Sequence, residues 1–238
     1  MIKLIIGIPY WKEDRALAER MLMLMSDLEA KPREDVLLVL MERYDSEAIS
    51  GLTMGSVGRK FAWRMMTSKT RATGWPAGCN AMAYDLFEAV GGMLASLKMD
   101  FDPAFLFLEP DCVPIACDWI DQLLGAWRQA RLEKKYIVGA WRDSGGPYGH
   151  INGNALYPPD LADLFPLKYT EGGIAWDAAL AIPTHPYWHF SGLIRNRWHE
   201  TELTPQQIET PWTGSAPPVL IHGCKDDSVY NYAVKKLL

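Results

Sequence analysis

Glu109-Pro110-Asp111 sets two carboxylates one residue apart, directly after the apolar run Phe105-Leu106-Phe107-Leu108. A short apolar run bounded by Pro is the pattern of a strand buried on both faces, so the acids are expected at its carboxyl end. Open α/β sheets bind ligands at that end. An acid-x-acid pair there can offer oxygen ligands to a divalent cation, and such a cation is commonly shared with substrate phosphates. A phosphorylated donor is therefore implied. The pair is also compatible with an ordinary solvated turn, so its meaning depends on what the other elements bring to it.

The elements that must position these acids follow from periodicity. Residues 2–9 read as a buried strand whose ladder stops at Pro9. Residues 15–30 carry Leu17, Met21, Leu24, Met25 and Leu28 at helical spacing, and residues 36–41 form a second apolar strand. A parallel pair with a right-handed crossover is implied. Residues 45–58 are polar and glycine-containing and give no clear period. Residues 74–80 read as a turn-rich loop before a helix over 81–97, with Met82, Leu86, Val90 and Leu94 on one face. A helix is expected over 119–133 with Asp118 as its cap, then a strand over 136–141. Beyond Trp141 the alternation fades, and Gly, Pro and aromatic residues accumulate between Ser144 and Pro218.

With 238 residues, 49% of them hydrophobic and 22% charged, the chain has the length and composition of a globular protein with a full core. A formal charge of -5 argues against a strongly basic nucleic-acid binder. A local basic run, Arg59, Lys60, Arg64, Lys69 and Arg71, is compatible with a solvated helix face or with a polyanion. Cys79, Cys112, Cys117 and Cys224 lack C-x-x-C spacing, which fits reduced thiols in a cytoplasmic protein. The apolar amino terminus is too short for a signal peptide, and no stretch approaches the roughly eighteen apolar residues of a membrane helix.

Four further segments line up with the acid pair. Trp75 to Asn80 lies upstream; His150-Ile151-Asn152-Gly153-Asn154 follows the residue 136–141 strand; Gly172-Gly173-Ile174-Ala175-Trp176-Asp177 sets a lone Asp in an apolar context; and Val219-Leu220-Ile221-His222-Gly223-Cys224-Lys225 is a late strand ending in His and Lys. In this order the chain resembles the GT-A class of nucleotide-sugar glycosyltransferases, of the family 2-like kind, from Ile2 to about Lys225. The resemblance implies one α/β domain over 1–238 with a mixed, mostly parallel, Rossmann-like sheet. Residues 1–141 would form a nucleotide-sugar half, and 142–238 an acceptor half with a late metal-site strand.

The resemblance also implies roles. Glu109-Pro110-Asp111 stands where the class carries its D-x-D element, with Glu in place of the first Asp, and His222 matches the late histidine that completes the metal site. Asp111, His222 and Glu109 would hold Mn²⁺ or Mg²⁺. Pro9, Tyr10 and Trp11 match the base-binding position, while Arg71, Gly74, Gly78 and Asn80 match the segment touching ribose and diphosphate. Lys225 would neutralise the departing diphosphate, with Glu109 also available to the donor. Asp177 matches the catalytic base of inverting members, although Trp176 replaces the usual Glu; it is equally readable as a helix cap. His150, Asn152, Gly153, Asn154 and Trp176 would line the sugar and acceptor, and Asn152-Gly153 could instead be a hairpin turn. The implied activity is hexosyl or pentosyl transfer, inverting in preference to retaining, from a nucleoside diphosphate sugar, with UDP-sugar leading. The hydroxyl acceptor would be a glycan, or less readily a modified DNA base. A nucleotidyltransferase making activated sugars and a non-catalytic sugar- or nucleotide-binding protein remain alternatives. The first would be expected to carry a Gly-rich loop after its first strand, which Pro9-Tyr10-Trp11 does not resemble.

Overall fold

The computed structural model describes residues 1–142, 149–165, 173–197, 202–211 and 216–238, with Phe101 described only by its backbone. Ser144 and Gly172, both quoted above, lie outside these segments. In chain order the elements are β1 (Ile2–Tyr10), α1 (Arg15–Leu28), β2 (Arg33–Arg43), α2 (Gly51–Lys60), β3 (Phe61–Ser68), α3 (Ala77–Met93) and β4 (Met99–Phe107). They continue with β5 (Val113–Pro114), α4 (Trp119–Leu132), β6 (Ile137–Arg142), β7 (His150–Tyr157), α5 (Leu161–Leu164), α6 (Trp176–Ala179) and α7 (Ala181–Thr184). The last are β8 (Trp188–Phe190), β9 (Ile194–Asn196), α8 (Pro205–Glu209), β10 (Leu220–His222) and α9 (Ser228–Leu237).

A seven-stranded sheet has the order β3-β2-β1-β4-β7-β6-β8, and a small three-stranded sheet the order β5-β10-β9. In the large sheet only β7 runs antiparallel to its neighbours β4 and β6. Strand β1 is buried from Leu4 to Tyr10, which explains its unbroken apolar sequence. Leu4, Ile6 and Ile8 join the core beneath α1 and α4, whereas Ile5 joins Leu86, Phe87 and Val90 of α3 on the opposite face. Both faces of the central strands are thus covered, and their backbone groups are satisfied by neighbouring strands. No helix among the described residues is long and apolar enough to cross a membrane.

Several sequence expectations are adjusted. The ladder does not stop at Pro9: β1 stays paired to β2 through Tyr10↔Glu42, while its pairing with β4 ends at Gly7↔Phe107. The glycine-containing stretch after residue 45 becomes α2, whose Ser50 side chain accepts a bond from Thr53 N, followed by the edge strand β3. Asp118 stands at the cap position of α4, but its carboxylate accepts from the Gln122 side chain and not from a helix-end amide. Helix α3 begins earlier than its apolar period suggests, and Leu94 lies in a 3₁₀ turn beyond its end.

Candidate active site

Strand β4 leaves the sheet at Phe107, and the next residues turn, with Cys112 N bonding Glu109 O, into β5. Strand β10 pairs antiparallel with β5 through Ile221↔Val113, and Cys224 N donates to Asp111 O at 2.9 Å. This register carries His222 across to the acid pair. His222 Nε2 lies 2.5 Å from Glu109 Oε2 and 3.3 Å from Asp111 Oδ1, and one ligand atom from each residue falls within 4.8 Å of the others.

The donor set fits a divalent cation. Asp111 Oδ1 is buried and makes no hydrogen bond, so this carboxylate oxygen is left for another partner. Two carboxylate oxygens and an imidazole nitrogen suit Mn²⁺ and Mg²⁺ chemistry. Both carboxylates bear on His222. Burial opposes a charged imidazole, but Glu109 and then Asp111 outweigh it and push His222 up to about 10. Burial likewise raises the Asp111 carboxyl, yet His222 and Lys225 hold it below the usual carboxylate range.

Asn154 locks this arrangement from β7. Its Oδ1 accepts from Glu109 N at 2.7 Å, and its Nδ2 donates to Glu109 Oε2 at 3.1 Å and to Asn152 Oδ1 at 3.0 Å. Asn154 is therefore a support for the acid loop with both ends of its amide engaged, and Asn152 backs it through Oδ1. The hairpin-turn alternative does not hold: Asn152, Gly153 and Asn154 lie inside β7 and are buried. Asp14, not anticipated from sequence, belongs to the same electrostatic field. Burial, then the charges of Asp111 and Glu109, against Lys225, push its carboxyl up to about 6.

Adjacent residues of β7 reach two acids. Gly153 N donates to Asp177 Oδ2 at 2.9 Å, and the next residue along the strand, Asn154, holds Glu109. Asp177 Oδ1 accepts from Ala178 N at 2.9 Å, and His150 Nε2 lies 3.4 Å from Oδ2. The cap position of α6 is Ala175, so the cap reading of Asp177 is replaced by this tie between α6 and β7. Asn80 fixes the segment before it, donating to Ile174 O at 2.9 Å and accepting from Trp176 N at 2.8 Å. With both ends of its amide so used, Asn80 is a clamp on the Asp177 segment, a correction to the donor contact expected of it.

Two aromatic expectations are also corrected. Trp176 is 4% exposed and packs among Phe87, Phe107 and Tyr157, where Gly153 lacks the Cβ that would stand 2.8 Å from the indole. Tyr10 is 2% exposed within the core and its hydroxyl donates to Glu42. Neither ring has a face free for a ligand. Trp11, half-buried just beyond Pro9, stacks on the Arg43 guanidinium at 4.7 Å, and Arg43 is held by both Asp45 oxygens at 2.5 Å. Arg71, Gly74 and Lys225 are exposed, and Gly78 is needed because a Cβ there would meet the Thr73 backbone at 3.1 Å.

No family description matches the sequence, and no curated protein matches it. Solved structures do match the fold. An active-site mutant of LgtC superposes with a TM-score of 0.61 at 10% identity, covering 96% of this chain and 93% of that one. The TarS 1-349 fragment of S. aureus gives 0.55 at 10% identity over 80% of this chain and 58% of that one. The mannosyltransferase PcManGT of Pyrobaculum calidifontis, in complex with GDP-Man and Mn²⁺, gives 0.50 at 13% identity over 80% and 57%. This chain thus spans less than two thirds of the TarS fragment and of PcManGT. It has the GT-A fold, as a single mixed α/β domain whose central sheet is mostly parallel.

Proposed function

We propose that this protein is a metal-dependent glycosyltransferase that moves a sugar from a nucleoside diphosphate sugar, with UDP-sugar as the leading donor, to a hydroxyl acceptor. The observation that carries the reading is the meeting of Glu109, Asp111 and His222 at the carboxyl end of β4 in a GT-A fold. The GDP-Man and Mn²⁺ bound by PcManGT support it. Asp111, Glu109 and His222 would hold Mn²⁺ or Mg²⁺, with Asp111 Oδ1 already stripped of other partners. The bound cation would supply Lewis-acid stabilisation to the charge that develops on the leaving diphosphate.

Lys225, exposed beside Asp111, adds a second positive charge for the same diphosphate. Trp11, with its ring backed by Arg43, offers a stacking surface to the nucleobase. The acceptor hydroxyl loses its proton to Asp177 as its oxygen forms the bond to the anomeric carbon and the carbon–oxygen bond to the diphosphate breaks. That assignment gives inversion. Residues 1–141 would serve the donor and 142–238 the acceptor, a glycan being the first choice.

The test is nucleotide release from UDP-, GDP- and CDP-sugars with a mixed glycan acceptor panel, with and without Mn²⁺. Metal-dependent release that falls at least about a hundredfold in Asp111→Asn is expected. Asp177→Asn should lose transfer while keeping metal-dependent donor binding. Release of pyrophosphate from a nucleoside triphosphate would instead identify a nucleotidyltransferase. Sugar binding with no turnover under any metal would identify a binding protein.

A further inference from the structure

We propose that Asn196 is a positioning residue for the cation site, holding a His222 proton on Nδ1 so that Nε2, which faces Glu109 and Asp111, is the nitrogen that exchanges its proton for a cation. The proposal rests on the metal-dependent reading above. Strand β9 pairs parallel with β10 in a register that sets Asn196 beside His222, and Asn196 Oδ1 lies 3.0 Å from His222 Nδ1. An amide oxygen can only accept, so Nδ1 carries the proton in this contact. Nε2, the atom facing both carboxylates, is then the end that gives up its proton when a cation binds.

The backbone around the pair is fixed closely enough to hold that geometry. Arg197 N donates to His222 O at 3.0 Å, extending the ladder one residue past Asn196. Gly223 follows His222 with φ of 86°, and a Cβ there would come within 3.2 Å of Arg197 O, so β9 abuts the turn directly. Arg197 is itself tied to Asp226 through two contacts, at 2.7 and 3.2 Å, which anchors the chain on the far side of Lys225. The rotated alternative, with the Asn196 amide donating to Nδ1, would put the proton on Nε2 and turn a donor hydrogen toward the site.

Those two orientations make opposite demands on residue 196, and substitution separates them. Mn²⁺ affinity is measured on the full chain without any sugar nucleotide, by electron paramagnetic resonance of the free ion, beside a thermal melt of each variant. Asn196→Asp, which can only accept, should bind Mn²⁺ within a few-fold of wild type, whereas Asn196→Leu should bind about 10- to 100-fold more weakly. Asn196→Ser provides a smaller acceptor should the Leu variant fail to fold, and it should fall between the two. Wild-type affinity in Asn196→Leu would overturn the proposal alone, as would equal loss in the Asp and Leu variants. A wild-type chain that binds no Mn²⁺ would overturn the metal reading and this proposal with it.

Discussion

Asp14 shows how the cluster's charge reaches beyond its own members. Its carboxyl is raised, first by burial and then by Asp111 and Glu109, from the ordinary value to about 6. A folded-state value above the unfolded one means a stability contribution that is full below the ordinary carboxylate range and lost as pH rises through about 6. Asp14→Asn should therefore raise the melting temperature at pH 7.5, with the gain disappearing near pH 4. Thermal melts of the two proteins across that range check it. At this scale the sequence disclosed the groups that repeat a known order, Asp111, Glu109 and His222. It did not disclose Asp14 or Asn196, and it offered Asn154 as a sugar- and acceptor-lining residue, not as the support of Glu109, because each acts through a partner 26 or more residues away that only strand register brings near. Residue type misled for Tyr10 and Trp176, since an aromatic ring suits a core and a ligand equally and burial alone separates them.

The elements differ in how plainly they announce themselves. Strands β1, β2 and β4 are buried on both faces and read as continuous apolar runs, so their order was legible. Strand β3 was not, because it lies at the sheet edge with exposed residues on both sides, Ala62, Trp63 and Arg64 among them. Three glycines hid α2 in the same way. Close packing between elements is steepest at Gly7, where a Cβ would stand 2.5 Å from the Phe105 ring and 2.9 Å from Leu86. Gly7→Ala should cost about 1–3 kcal/mol, read by denaturant unfolding. The turn between β10 and α9 depends on a different kind of contact. Asp226 is held below the usual carboxylate range by the Arg197 guanidinium, against some burial, with Ser228 helping. This depressed value stabilises the fold above the ordinary carboxylate range and ceases to as pH falls beneath it. Asp226→Asn removes the carboxylate that grips the buried Arg197 and should cost about 3 kcal/mol at pH 7, a gap that narrows only as pH falls well below the ordinary carboxylate range.

Across the whole molecule one sheet divides two apolar layers, and the acid cluster lies where β4 has run out between β1 and β7. The net charge of -5 coexists with Arg59, Arg64, Lys69 and Arg71 exposed along and beside the open β3 edge. Because a ligand that binds only the folded state raises its stability, UDP with Mn²⁺ should shift the melting temperature upward, by more than either alone. Asp111→Asn should abolish the extra shift. Length, composition and the strand-helix alternation made the fold class legible; the short elements after β7 were not, since runs of three or four residues carry no period.

The small β5-β10-β9 sheet has a consequence for biosynthesis. All seven strands of the large sheet precede His222 in the chain, yet the imidazole joins Asp111 only when β10 docks on β5. A nascent polypeptide can therefore pair the strands of its large sheet while the Glu109-Asp111-His222 cluster is still incomplete. Completion of the cluster is a late event of translation, and a protease cut ahead of β10 would remove His222 together with the core residues Leu220, Ile221 and Val229.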